Sequence, residues 1–168
     1  MVLTKSELIG SLQKEVQILV HLASKVDRTA LDYRPTPKQR STMELLRYMS
    51  IMGPGLVQAV KRGGFDPAAW TKLQQEADAR DFDQTVAAIG AQSETYASEL
   101  GAFSDDDYRK GVEMFGSKTT VGAFLVNLVL CGHAAYRTQL FCYLKACGRD
   151  ELSTMNLWAG MDAPTPVA

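Results

Sequence analysis

The stretch Cys131-Gly132-His133-Ala134-Ala135-Tyr136-Arg137-Thr138-Gln139-Leu140-Phe141-Cys142-Tyr143-Leu144 places a histidine and an arginine one helical turn apart inside an otherwise apolar run. Residues four apart on an α-helix share a face, and His133 also shares its stripe with Val126, Val129, Leu130, Tyr136 and Leu140. The imidazole is therefore expected inside a helical bundle or in a cleft between its helices. An unpaired buried imidazole costs roughly 1–3 kcal/mol, so His133 must meet a hydrogen-bond partner, a metal or a ligand. Two arrangements satisfy it. The pair can bind a carboxylate or phosphate through a charged fork beside the ring. It can equally be structural, with Arg137 held by Glu44 or another internal acid and His133 by Tyr48 or a backbone carbonyl.

The architecture is read outward from this helix. Thr119 or Thr120 caps its start and Gly148 closes it after about Ala146 as a left-handed cap. At about 1.5 Å per residue it is roughly 40 Å long and can span a small domain. Near the N-terminus Thr4-Lys5-Ser6-Glu7 is a capping box, and Leu8, Leu12, Val16, Leu19, Ala23 and Val26 form the stripe of a first helix running to about Val26. Pro35 and Pro37 then exclude helix. A second capping box, Ser41-Thr42-Met43-Glu44, opens helix two through Leu45, Leu46, Tyr48, Met49 and Met52, and Gly53-Pro54-Gly55 is expected to kink or break it.

After Gly63-Gly64 a weak helical piece covers 68–79. Asp81-Phe82-Asp83-Gln84 caps helix three, whose inner stripe is Val86, Ile89, Tyr96 and Leu100. A long polar loop, 103–119, separates helices three and four, with a turn or short extended pair around 112–115. Four long helices without period-two strands predict an all-α four-helix bundle. The chain is expected to be a single domain over 1–168, with 149–168 a C-terminal tail packing on the bundle and Trp158 covering its core.

Composition narrows the partners. With 168 residues, a net charge of −1 and no Lys/Arg cluster interleaved with aromatics, the chain has no surface suited to nucleic acid. The N-terminus lacks the basic start and apolar core of a signal peptide. The most apolar stretch, 121–130, falls short of the ~20 residues a membrane span needs. A soluble, cytoplasmic protein is expected. Cys131, Cys142 and Cys147 include no C-x-x-C pair, which predicts reduced thiols, with Cys131 and Cys142 packed in the core as small hydrophobes. His21, among Lys14, Gln17 and Lys25, reads as solvated or at a groove edge. Two histidines in the whole chain cannot make a three-histidine zinc site within one subunit. Met43, Met49 and Met52 are core filler or line an adaptable groove. No phosphate-binding glycine loop, G-x-S-x-G elbow or H-E-x-x-H helix is present.

Two stretches resemble the DinB/YfiT-like family of bacterial four-helix proteins. Tyr33-Arg34-Pro35-Thr36 through Ser41-Thr42-Met43-Glu44-Leu45-Leu46-Arg47-Tyr48 is similar to the family's Arg-Pro loop and capped second helix, where a histidine usually follows the Glu-Leu-Leu. His133-Ala134-Ala135-Tyr136-Arg137-Thr138-Gln139-Leu140 is similar to its last-helix motif of two histidines one turn apart followed by a glutamine. The resemblance implies a metal held by one histidine from the second helix and two from the last. The matching positions here are Tyr48, His133 and Arg137, and arginine keeps its proton and repels a cation. No cofactor is therefore expected, the alternative being a divalent metal such as zinc or nickel at His133. On this reading Tyr48→His with Arg137→His restores metal binding. The resemblance further implies a pocket in which Tyr48, His133, Arg137 and Gln139 bind a small anion. Its alternative is a thiol-dependent S-transferase or isomerase, with Arg137 on the thiol's carboxylate, His133 as general base and Tyr48 assisting. A homodimer is implied as well.

Overall fold

The computed structural model describes residues 3–164. Its helices are α1 Lys5–Ala23, α2 Thr42–Arg62, α3 Pro67–Asp78, α4 Phe82–Gly101, the short α5 Asp105–Arg109, α6 Val121–Phe124 and α7 Cys131–Ala146. Between α6 and α7 the backbone stays helical through a π-helical segment, Leu125–Leu130, so the three form one rod. Helices α1 and α2 each pack against both α4 and α7. The four thus make a ring in which α4 and α7 face each other across the centre. None of the described helices is long and apolar enough to cross a membrane.

Three helix starts carry the capping boxes that the sequence signals, at Thr4 with Glu7, Ser41 with Glu44 and Asp81 with Gln84. Helix α1 stops at Ala23, three residues earlier than expected, because the Lys25 and Val26 amides turn back to the Leu22 and Ala23 carbonyls. The expected break at Gly53-Pro54-Gly55 does not occur, and α2 runs through it. Pro54 has no amide for the Ser50 carbonyl and its ring crowds the preceding turn. The neighbouring Met49 carbonyl is served from outside, by Gln92 Nε2 of α4 at 2.9 Å.

The loop between α4 and α6 is more ordered than a polar loop. It holds α5 and a hairpin of β1 Gly111–Met114 and β2 Ser117–Thr120, antiparallel with Met114 opposite Ser117. The connecting residues Phe115 and Gly116 have φ of 54° and 74°. Positive φ at both positions defines a type I′ turn, which favours Asn-Gly. Phenylalanine in this left-handed region costs on the order of 1 kcal/mol.

Of the tail, 149–164 is described and 165–168 lies outside the described residues. Leu152 and Asn156 are buried, a π-helical turn spans Met155–Ala159, and Lys14 Nζ of α1 donates to the Ala159 carbonyl at 2.8 Å. Trp158 does not cover the core. It is 66 % exposed and lies over the Arg137 guanidinium, 4.8 Å from ring centroid to Cζ.

The ring closes on one contact. Tyr96 Oη of α4 lies 2.6 Å from His133 Nε2 of α7, both side chains fully buried. The contact exists because α2 presents no side chain there: a Cβ on Gly53 would fall 1.7 Å from Tyr96 Oη and 2.9 Å from His133 Nε2. Gly53→Ala should therefore destabilise the fold by about 3 kcal/mol in urea unfolding, the combined cost of overpacking and a broken buried hydrogen bond. Adding Tyr96→Phe, which removes the clashing oxygen, should recover part of that loss. Strictly additive single-variant effects would show that the two sites are independent.

Candidate functional site

His133 is 0 % exposed and belongs to a directed chain of hydrogen bonds. Gln92 Nε2 donates to the Met49 carbonyl, which turns its Oε1 toward Tyr96, and the Tyr96 hydroxyl donates to that oxygen at 2.9 Å. Tyr96 must then accept from His133, so the ring proton sits on Nε2. Nδ1 is left as a buried acceptor with no partner among the described residues. Burial pushes the imidazole pKa down to about 4 and pushes the Tyr96 hydroxyl up. The partner the sequence demanded is thus Tyr96, in place of Tyr48 or a carbonyl. A neutral ring sealed from solvent cannot take a proton from an incoming thiol near neutral pH.

Arg137 points elsewhere. Its Nε lies 2.7 Å from Glu15 Oε2 of α1, with the side chains only 5 % and 12 % exposed. That N–H is not aligned on the oxygen, so the contact is a close ion pair rather than a hydrogen bond. Nη1 donates to the Leu157 carbonyl of the tail. Burial raises the Glu15 pKa and the Arg137 charge works against that rise. The internal acid is therefore Glu15, while Glu44 stays in its capping box, 2.7 Å from the Ser41 amide, with Arg34 beside it. Gln139 is structural too: its Nε2 donates to Tyr143 Oη at 2.6 Å, and that hydroxyl donates to the Arg40 carbonyl at 3.0 Å. His21 accepts from Asn156 Nδ2 at 3.0 Å and so holds the tail.

Tyr48 lines a cleft of about 990 Å³ between α2, α3, α7 and the hairpin. Its ring meets Tyr136 edge-on at 5.0 Å and carries the Arg40 guanidinium 4.0 Å above it. Burial, with the Tyr136 hydroxyl next to it, pushes the Tyr48 pKa up to about 12. Trp70, Phe65, Phe115 and Phe124 continue the aromatic wall, and Met52 and Met114 add thioether surface. Ser117, Thr119 and Asn127 are its polar points, and Lys118, 81 % exposed, is the one charged side chain among the described lining residues.

The four residues singled out from sequence therefore lie in separate places. On α7 the pairs one turn apart that share the cleft with Tyr48 are Cys131 with Ala135 and Gly132 with Tyr136. His133 and Arg137 follow one residue later, about 100° round the helix, and aim at the bundle centre and at α1. Cys131 and Cys142 lie on the side opposite the buried His133-Arg137-Leu140-Leu144 stripe, and both are exposed rather than in the core. Cys131 lines the cleft. Sequence reasoning missed Trp70, Phe65 and Phe115 as cleft residues. Their only signal was large aromatics in segments without a strong apolar stripe.

Among the described residues no three His, Cys, Asp or Glu side chains are grouped to hold a metal. The cleft offers two phenols, one of high pKa, and a thiol, a donor set that does not suit a divalent cation at neutral pH. Since the side chains at 48 and 137 diverge, the Tyr48→His, Arg137→His pair is not expected to create a zinc site.

This ring of four helices, with a hairpin before the last, is the DinB-like fold. The chain is similar in structure to the DinB-like protein YjoA of Bacillus subtilis, with a TM-score of 0.67 and 17 % identity over 87 % of this chain and 94 % of that one. No protein-family model matches the sequence, and no curated protein does.

The burial of His133 has a pH signature. Its pKa falls from 6.5 to about 4 on folding, so between those values the unfolded chain binds more protons. Its contribution is complete above pH 6.5 and is lost as pH falls toward 4, about 3 kcal/mol in all. The difference between wild type and His133→Gln in urea unfolding from pH 7 to 4 should show this slope, and a pH-independent difference would exclude it.

Proposed function

We propose that the protein is a metal-free binding protein whose cleft between α2 and α7 takes a small, uncharged, predominantly apolar molecule. The observation that supports this most is the lining: aromatic rings and methionines enclose a drug-sized volume with a few hydroxyl and amide groups at its edge, the usual make-up of small-molecule sites. An anionic ligand finds little charge in the lining itself, because Arg137 is turned to Glu15, Lys118 stands out in solvent beside Glu113 at 3.4 Å, and Arg40 lies against the Tyr48 ring outside the lining. The thiol-transferase alternative lacks its base, His133 being enclosed at the bundle centre. The phenols of Tyr48 and Tyr136 are hydrogen-bonding groups for a ligand carbonyl or hydroxyl.

The test uses Trp70, which lies in the cleft wall. Trp158→Phe leaves it the only tryptophan of the two in the chain. Titration with the neutral fluorophore N-phenyl-1-naphthylamine should give saturable energy transfer from Trp70. Gly132→Phe should abolish it, since a Cβ there already meets Met52 Cε at 3.1 Å, and Ala135→Phe provides a second plug from the same wall. Binding that survives both plugs would place the probe elsewhere and end this reading.

A further inference from the structure

Phe115 is not explained by the hairpin that carries it. Its φ of 54° puts a bulky side chain where a type I′ turn favours asparagine. Burial offers no compensation, because the residue is 59 % exposed. What its position does provide is continuity. The Phe115 ring lies 5.0 Å from Phe65, Phe65 lies 5.6 Å from Trp70, Trp70 lies 6.3 Å from Tyr48, and Tyr48 lies 5.0 Å from Tyr136. Five rings therefore run from the hairpin tip to the inner wall in edge-on or tilted contacts, with Phe115 the outermost and the only one on a strained turn.

Strained backbone persists where the surrounding structure over-determines it, here through the contact of Phe115 with Phe65, and such residues cluster at ligand clamps. We infer that Phe115 is a specificity-determining residue that closes the cleft over a planar, uncharged aromatic ligand. The inference rests on the cleft reading above and gives its ligand class. A flat ring system matches the walls because aromatic faces and edges meet best in offset or edge-on pairs, which flexible alkyl chains do not reward. At the hairpin tip no charge is directed into the cleft, since the adjacent Lys118 is beside Glu113 and faces solvent.

Asparagine at 115 separates the two roles, because it suits the left-handed turn and lacks the ring. In full-length protein, Phe115→Asn should melt at or above the wild-type temperature yet bind N-phenyl-1-naphthylamine about tenfold more weakly, as expected for loss of one aromatic contact face. Phe115→Tyr should retain affinity within about twofold. Displacement of the probe by 2-naphthol should weaken in Phe115→Asn, while displacement by 1-decanol should not. Wild-type affinity in Phe115→Asn, or equal weakening for 2-naphthol and 1-decanol, would overturn the role of Phe115 and leave the cleft standing. Absence of saturable binding by the wild type would overturn the cleft reading itself and this inference with it.

Discussion

The hydrogen bond between Tyr96 and His133 spans the centre of the helix ring and fixes which face of α7 turns inward. It joins two helices that otherwise face each other across the core, and it requires an absence, that of a side chain at Gly53. Through Gln92 the same chain reaches the Met49 carbonyl, beside the turn that Pro54 disturbs. One network thus pins α4, α7 and α2 in a single register. A nearly satisfied polar chain in a low-dielectric core specifies its geometry more sharply than apolar packing does, because each displaced member leaves an unpaired group.

Once His133 is fixed at the centre, the rotation of α7 is fixed with it. Tyr136, about 60° back, must face α2, and Arg137, about 40° on, must face α1. This is why a histidine and an arginine that share a stripe in sequence do not share a site. The stripe is broad enough to hold both a central residue and its flank, and the two meet different helices. The thioether of Met52 and the rings of Tyr48 and Tyr136 line the α2 side, while Glu15 and the tail take the α1 side.

The legible part of this molecule is local. Capping boxes at Thr4, Ser41 and Asp81 mark helix starts, and the stripes through Leu8-Leu12-Leu19 and Ile89-Tyr96-Leu100 mark inner faces, because both signals depend on residues three or four apart. The need for a partner at His133 is legible for the same reason, from burial alone. Which partner is not legible, because Tyr96 and Glu15 are distant in sequence from the α7 residues they meet, and no spacing rule connects them. The π segment at 125–130 escapes a reading that assumes a constant 3.6 period. Cys131 and Cys142 look apolar by type but fall on the outer face, where type and place disagree. The hairpin was legible only as an extended pair, since Phe115 stands where turn chemistry calls for asparagine.

The two flanks of α7 are packed differently. On the α1 flank a buried ion pair, a carbonyl of the tail and the Trp158 ring all converge on Arg137, so the guanidinium is covered. A buried pair of this kind is a poor source of net stability, because desolvation offsets most of the attraction. Its use here is to bind the tail to the bundle, as do Lys14 on the Ala159 carbonyl and His21 with Asn156. On the α2 flank no such seal exists. Aromatic rings stand unfilled around the cleft, and the chain places over them a hairpin whose tip adopts an unfavourable conformation that keeps one more ring at the mouth. Leaving this flank open, apolar and rimmed by a strained phenylalanine makes structural sense when a ligand completes the packing.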